Sequence, residues 1–241
     1  MPLPVPPPSL LNNAVLFLDF DGTLVPIADR PDAISVAPSL LPLLEQLQVK
    51  LEGRVVLLSG RATADVRRWL NPSNVRVVGS HGLERDGAAP RRSAAFDECL
   101  PYLREVQVQH AGVIVEEKPF GAAIHFREAP DAEAACHAAA VHVAATTDMR
   151  VLPGKMVFEI KPADGNKGTA IVAMMKEPAF TLRKPVFIGD DVTDEYGFAA
   201  VRDLGGAGIL VGPERETAAL FGLEAVDQVH RWLTQACEET A

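Results

Sequence analysis

Cysteine is scarce in this 241-residue chain: Cys99, Cys136 and Cys237 are odd in number, far apart and without the spacing of a metal site. That pattern argues against a disulfide framework and fits unpaired thiols in a reducing compartment, so a cytoplasmic protein is expected. Basic residues are in deficit, 23 Lys and Arg against 32 Asp and Glu, with a formal net charge of -9. No surface for nucleic acid or an anionic membrane is expected, and an anionic ligand has to be held by a local cationic pocket. Long apolar runs are missing too, and no stretch reaches the roughly 20 residues that cross a bilayer. The first residues, MPLPVPPPSLLNNA, have no basic segment ahead of an apolar core, so they read as a loose, proline-rich lead-in and not as a signal peptide. With 48% hydrophobic and 6% aromatic residues, the chain is expected to be soluble and globular, with one or two domains. No internal repeat is apparent.

What is present is an alternation of strand and helix signals. Ala14–Phe20 reads as a buried strand, Ser39–Leu51 as a helix, Arg54–Ser59 as a strand, Ala62–Leu70 as a helix and Asn74–Gly79 as a third strand. The rhythm resumes with a helix over Lys167–Lys176, a strand over Pro185–Gly189, a helix over Asp194–Arg202 and a strand over Ala207–Val211. Such alternation predicts a parallel sheet flanked by helices. Between the two regions the pattern changes. A helix over Phe96–Gln109 precedes a hairpin, Gly112–Glu117 and Ala122–Arg127, joined by a Pro-Phe-Gly turn; then come an alanine-rich helix over Asp131–Thr146 and two short strands within Arg150–Ile160. A hairpin does not belong in a parallel sheet, so residues 85–161 are expected to be an α+β insertion between core segments 1–84 and 162–241.

In an open α/β sheet, ligands bind at the carboxyl ends of the strands. The stretch LFLDFDGTLVP places Asp19 and Asp21 at one such end, Ser59 closes the second strand, and Asp190, Asp191 and Asp194 follow PVFIG. A divalent cation explains the crowding of like charges: Asp19 and Asp190 offer hard oxygen ligands that suit Mg²⁺. Lys167 at a helix start and Ser59 before Gly60 are suited to neutralise a phosphoryl group. One carboxylate can attack phosphorus while a second protonates the leaving oxygen and later deprotonates water, roles that suit Asp19 and Asp21. The plainer alternatives are an acidic loop that caps the next helix through Asp194 and a solvated Lys167. His81 and His125 read as structural histidines, and Arg61 either orients its loop or faces the insertion.

Taken in order, DFDGTL at 19–24, Ser59, Lys167 and GDD at 189–191 resemble the motifs of the haloacid dehalogenase superfamily of phosphohydrolases. The resemblance implies a Rossmann-like α/β core with an inserted α+β cap domain. It also implies Asp19 as nucleophile, Asp21 as acid and base, and Mg²⁺ held by Asp19, the backbone carbonyl of Asp21, and Asp190. The insertion is similar to the cap of the trehalose-6-phosphate phosphatase family in EEKPFGAAIHFR at 116–127, PGKMVFEIKP at 153–162 and NKGTA at 166–170, joined by SHGLE at 80–84 and GDDVTDEYGF at 189–198. The sugar or phosphate contacts this implies are Glu116, Lys118, Arg127, Lys155 and Glu159. Val25 departs from the threonine or serine common there. Strand alternation places Lys155, Val157 and Glu159 on one face and Met156, Phe158 and Ile160 on the other, with Glu116 and Lys118 sharing a face and His125 and Arg127 sharing theirs. The expected partner is a small sugar phosphate, bound by a monomer without nucleic acid or membrane. Trehalose 6-phosphate is the expected substrate; the alternatives are another sugar phosphate, such as sucrose or mannosylglycerate phosphate, a phosphomutase reaction, or a silent protein that binds metal or phosphate beside a synthase.

Overall fold

An apolar pentapeptide, Ala14–Leu18, forms the first strand, β1, and all five of its residues are buried, as in a strand covered on both faces. The computed structural model describes residues 2–27, 34–70, 73–84, 93–154, 156–163 and 165–239. The further strands are β2 (Val55–Leu58), β3 (Arg76–Val78), β4 (Ile114–Lys118), β5 (Gly121–His125), β6 (Met149–Gly154), β7 (Val157–Pro162), β8 (Lys184–Gly189), β9 (Ala207–Val211) and β10 (Phe221–Leu223). The helices are α1 (Leu40–Lys50), α2 (Thr63–Trp69), α3 (Ala94–Gln109), α4 (Glu133–Ala145), α5 (Lys167–Met174), α6 (Glu195–Asp203) and α7 (Val226–Glu238). The chain falls into two units, Met1–Ala88 with Asn166–Ala241, and Ala89–Gly165.

The first unit is built on a parallel sheet in the order β10-β9-β8-β1-β2-β3. Strand order reverses at β1, because the chain walks out to β3 on one side and returns through β8 to β10 on the other. That reversal opens a crevice at the carboxyl ends of β1, β2 and β8. The two-residue period of a strand sorts the core into layers. Leu16, Leu18, Val55 and Leu57 meet Leu40, Leu44 and Leu47 of α1 and Val229, Trp232 and Leu233 of α7. Val15, Phe17, Val56 and Leu58 face the opposite way, toward Ile171 and Met174 of α5 and Phe198 and Val201 of α6. Each large side chain buried this way contributes about 1.5–3 kcal/mol.

Two features of this unit depart from the sequence reading. β10 and α7 lie beyond the last predicted strand, although Val229, Trp232, Leu233 and Ala236 are buried at helical spacing. The amino-terminal lead-in is not loose over its described residues. The Trp232 indole Nε1 donates to the Pro6 carbonyl at 2.8 Å, Gly222 N donates to the Pro4 carbonyl at 3.0 Å, and Leu11 is buried. Proline lacks an N–H but keeps its carbonyl, so a proline-rich segment can still be pinned as an acceptor.

The second unit is an antiparallel sheet in the order β4-β5-β7-β6. On one face Ala122, Ile124, Phe158 and Ile160 pack with Phe96, Leu100 and Leu103 of α3 and Cys136 and Ala140 of α4. Cross-strand register puts Glu116 opposite Ala123 and Ala123 opposite Glu159, so Glu116, Lys118, His125, Glu159 and Lys161 share the other face, along with Arg150 opposite Lys161. The hairpin turn is Pro119-Phe120 alone, since Gly121 already pairs with Lys118 in the ladder, which corrects the predicted Pro-Phe-Gly turn. Arg127 lies past the end of β5 in an exposed turn, so strand alternation does not place it beside His125. Lys155 lies outside the described residues.

Candidate active site

Three carboxylates and one ammonium converge at the crevice. Asp19 extends β1, its amide bonded to the Ile188 carbonyl of β8 at 2.9 Å. Lys167, the first residue of α5, is delivered by a helix whose cap is built by Asn166: its side chain accepts from Thr169 N at 2.9 Å, and the Thr169 hydroxyl accepts from Asn166 N. The Lys167 ammonium bridges Asp19 Oδ1 at 2.6 Å and Asp194 Oδ1 at 2.5 Å, with side-chain exposures of 3%, 7% and 0% for the three residues. Asp194 Oδ2 accepts from the amides of Asp190 and Asp191, both at 3.0 Å. Asp194 stands at the N-cap position of α6 without bonding that helix. Its contact with Asp191 N closes a capping box on the short turn Val192–Asp194, and its other oxygen is taken by Lys167, so the capping alternative holds in part and the residue serves the site as well.

The charges do not balance. Oxygens of Asp19, Asp190 and Asp194 lie within 4.8 Å of one another, and the Lys167 ammonium is paired with Asp19 and Asp194. Burial pushes the Asp19 carboxyl well above its usual range, the pull of Lys167 only partly opposes this, and Asp194 adds to it. Burial and then the repulsion of Asp194 raise Asp190 in the same direction. Burial works against the Lys167 ammonium, yet Asp19 and Asp194 outweigh it and its pKa rises. Hard oxygen donors carrying more negative charge than one ammonium offsets are a donor set suited to a divalent cation.

Asp21 faces elsewhere. Arg61 grips its carboxylate with two bonds, Nε to Oδ2 at 2.6 Å and Nη2 to Oδ1 at 2.7 Å. Ser59 is fully buried, and its Oγ accepts from the Arg61 amide at 3.1 Å. Gly22 holds a left-handed φ of 79°, and a Cβ there would lie 2.1 Å from Asp190 Oδ2, so the glycine of DFDGT makes its turn and leaves room for the Asp190 carboxylate. A cleft of about 440 Å³ is lined by Asp19, Asp21, Arg61, His81, Lys167 and Asp190 among others. Ser80 and His81 have φ of 49° and 57°, a conformation that costs about 1–3 kcal/mol each for a non-glycine residue. Glu84 fixes the turn by accepting from Thr63 N at 2.5 Å and Ser80 Oγ at 3.1 Å. A Cβ on Gly60 would lie 2.7 Å from the His81 ring, so that imidazole occupies the space a side chain at 60 would need.

Of the residues singled out from sequence, the structure brings Asp19, Lys167 and Asp190 together and sets Asp21 on the same cleft. Arg61, His81 and Asp194 were given no catalytic role, and all three belong to this cleft or its buried network. In the second unit, Lys118 pairs with Glu159 at 2.8 Å and His125 with Glu116 at 3.0 Å. Arg150 and Lys161 on that face were not anticipated; strand alternation would have found Lys161, two positions after Glu159.

A parallel sheet whose strand order reverses at an aspartate-bearing strand, with a second aspartate loop beside it, is the arrangement expected of a phosphohydrolase core. The trehalose-phosphatase family model matches residues 17–224. The chain is 40% identical over 219 residues to a probable trehalose-phosphate phosphatase of Sinorhizobium fredii, covering 88% of this chain and 83% of that one. It is 35% identical over 233 residues to the trehalose-6-phosphate phosphatase of Escherichia coli, covering 94% and 87%. The C-terminal domain of C. albicans trehalose-6-phosphate phosphatase superposes with a TM-score of 0.73 at 23% identity, covering 99% of this chain and all of that one. The chain belongs to the trehalose-phosphatase family, a family of phosphoric monoester hydrolases.

Proposed function

We propose that this protein hydrolyses trehalose 6-phosphate to trehalose and phosphate through an aspartyl-phosphate formed on Asp19. The observation that carries the reading is the buried Asp19–Lys167–Asp194 array beside Asp190, together with family membership. Asp19 keeps one oxygen on Lys167, which aims the other. That second oxygen attacks phosphorus, the phosphorus–oxygen bond to the sugar breaks, and Asp21 as its acid passes a proton to the departing sugar oxygen. Asp21, now a carboxylate, takes a proton from water as the water attacks phosphorus, which releases phosphate and restores Asp19. Delivery of the first proton requires the Arg61–Asp21 pair seen here to open.

Asp194 has both oxygens committed, so Asp19 and Asp190, with the Asp21 backbone carbonyl, are the residues to hold Mg²⁺. When bound, the cation offsets phosphoryl charge that Lys167 alone leaves unbalanced. The unpaired Cys99, Cys136 and Cys237 support a reducing, cytoplasmic setting, and among the described residues no helix is long and apolar enough to cross a membrane. Side-by-side phosphate release from trehalose 6-phosphate, glucose 6-phosphate and sucrose 6-phosphate tests the substrate. Preference for the first by at least tenfold in kcat/KM is expected, and equal rates would return the choice to other sugar phosphates.

Glu116, Lys118 and Glu159 on the open sheet face are proposed to read the sugar hydroxyls, with Lys155 and Arg127 as further contacts. Glu159→Ala leaves Lys118 and a hydroxyl without their partner. It is expected to cost about 1–3 kcal/mol, roughly a five- to hundred-fold loss in kcat/KM for trehalose 6-phosphate. p-Nitrophenyl phosphate lacks those hydroxyls and should lose far less. Equal losses on both substrates would sink the sugar-reading role.

A further inference from the structure

The loop between β9 and β10 reaches back to the aspartate loop after β8 with one side chain, Arg215. Its Nη1 donates to the Asp190 carbonyl at 3.1 Å and its Nη2 to the Asp191 carbonyl at 2.7 Å. The guanidinium is held from behind by Glu195, 2.9 Å from Nη2, and the two side chains are only 25% and 27% exposed. Glu195 is itself fixed, because its Oε2 accepts from the Thr217 hydroxyl at 3.1 Å and from Ala218 N at 2.8 Å. The same two residues whose carbonyls Arg215 takes donate their amides to Asp194. The Asp190–Asp191 segment is therefore clamped from both sides, its N–H groups by a buried carboxylate and its C=O groups by a guanidinium fork.

Nothing in the hydrolytic chemistry requires an arginine there, and the carbonyls it binds could have been left to water. A fork fixes two successive peptide planes at once, whereas an ammonium or an amide cannot reach both with the same rigidity. With its peptide fixed, Asp190 keeps its carboxylate within 4.8 Å of Asp19 in one orientation.

We infer that Arg215 is a positioning residue for the divalent cation: through the Asp190 and Asp191 carbonyls, and backed by Glu195, it preorganises Asp190 as an oxygen ligand. This rests on the Mg²⁺ reading of Asp19 and Asp190. Outer groups that orient a metal ligand are typically worth about 10–100-fold in metal affinity.

The test is binding of Mn²⁺ alone to metal-free protein, followed by electron paramagnetic resonance, with melting temperature recorded without metal. Arg215→Gln is expected to weaken Mn²⁺ at least roughly tenfold, and Arg215→Lys, which can reach one carbonyl but not fork both, to recover only part of the loss. Asp190→Ala should weaken binding more than either. Wild-type Mn²⁺ affinity in Arg215→Gln, alongside a clear loss in Asp190→Ala, overturns the role of Arg215. Wild-type affinity in Asp190→Ala overturns the metal reading itself. Should Arg215→Gln fail to fold, Glu195→Gln keeps the arginine and removes only its counter-charge. A three- to ten-fold weakening is then expected, and unchanged affinity overturns the inference.

Discussion

Asp19→Asn should abolish turnover of both trehalose 6-phosphate and p-nitrophenyl phosphate, by roughly 10⁴–10⁶-fold in kcat, the scale seen when a nucleophile is removed from a catalytic group that acts as a unit. The substitution is nearly isosteric and takes one negative charge out of a buried cluster that is short of positive charge. Lys167 keeps Asp194 as its partner at 2.5 Å. Stability measured without metal should therefore hold or rise, a pattern in which an active site trades stability for function. Circular dichroism and a melting curve beside the rate assay separate loss of chemistry from loss of fold. A folded variant that keeps more than about a thousandth of wild-type turnover would place the nucleophile on another residue.

Lys167→Met is expected to damage the fold as well as the chemistry. The ammonium sits between two carboxylates, Asp19 and Asp194, that are 7% and 0% exposed, and Met matches its length without its charge. Removing one partner from a buried ionic array strands the others, at a cost of about 3–5 kcal/mol. For a chain of this size that is a fall in melting temperature of roughly 6–20 °C. Activity should be lost on every phosphate ester, because both the aim of Asp19 and the charge facing the phosphoryl group disappear. The double variant Lys167→Met/Asp194→Asn removes one stranded charge while keeping an acceptor for the Asp190 and Asp191 amides. It is expected to recover part of the melting temperature and none of the activity. A single variant that melts within a degree of wild type would mean that the cluster is not held by charge.

The sheet was legible because its strands are apolar on both faces: AVLFL and VVLL can be nothing polar-sided, and each ends at a residue with chemistry, Asp19 or Ser59. The charged face of the second sheet was legible for the same reason, since Glu159 alternates with Phe158 and Ile160 along β7. For Asp194 the sequence leaves helix capping and a place in the site both open, because an acidic residue at a helix start has two acceptors to offer; the fold gives one to the amides of Asp190 and Asp191 and the other to Lys167. Arg61 is two residues from Ser59, yet its bond to Asp21 spans 40 positions. Arg215 was invisible for a further reason. Its acceptors are main-chain carbonyls, which every residue carries, so no residue type at 190 or 191 announces the contact. α7 was missed although Trp232 and Leu233 mark its buried stripe, because Asp227, Gln228, His230 and Arg231 dilute the apolar signal.

The site draws on residues far apart in the chain, with Thr23 and Asp190, 167 positions from each other, meeting at 3.4 Å. On the ribosome this sets an order of events. β1 finds β2 early, but its other edge waits for β8, the strand that leads into Asp190. At about 5–20 residues per second, the wait is on the order of ten to thirty seconds. The unit Ala89–Gly165 emerges meanwhile with its own apolar core and can close around Phe96, Ile124 and Phe158 while the half-made sheet stays open. During that interval the nascent chain carries Asp19 without Lys167 or Asp190, exposes one bare apolar edge, and has most need of a chaperone.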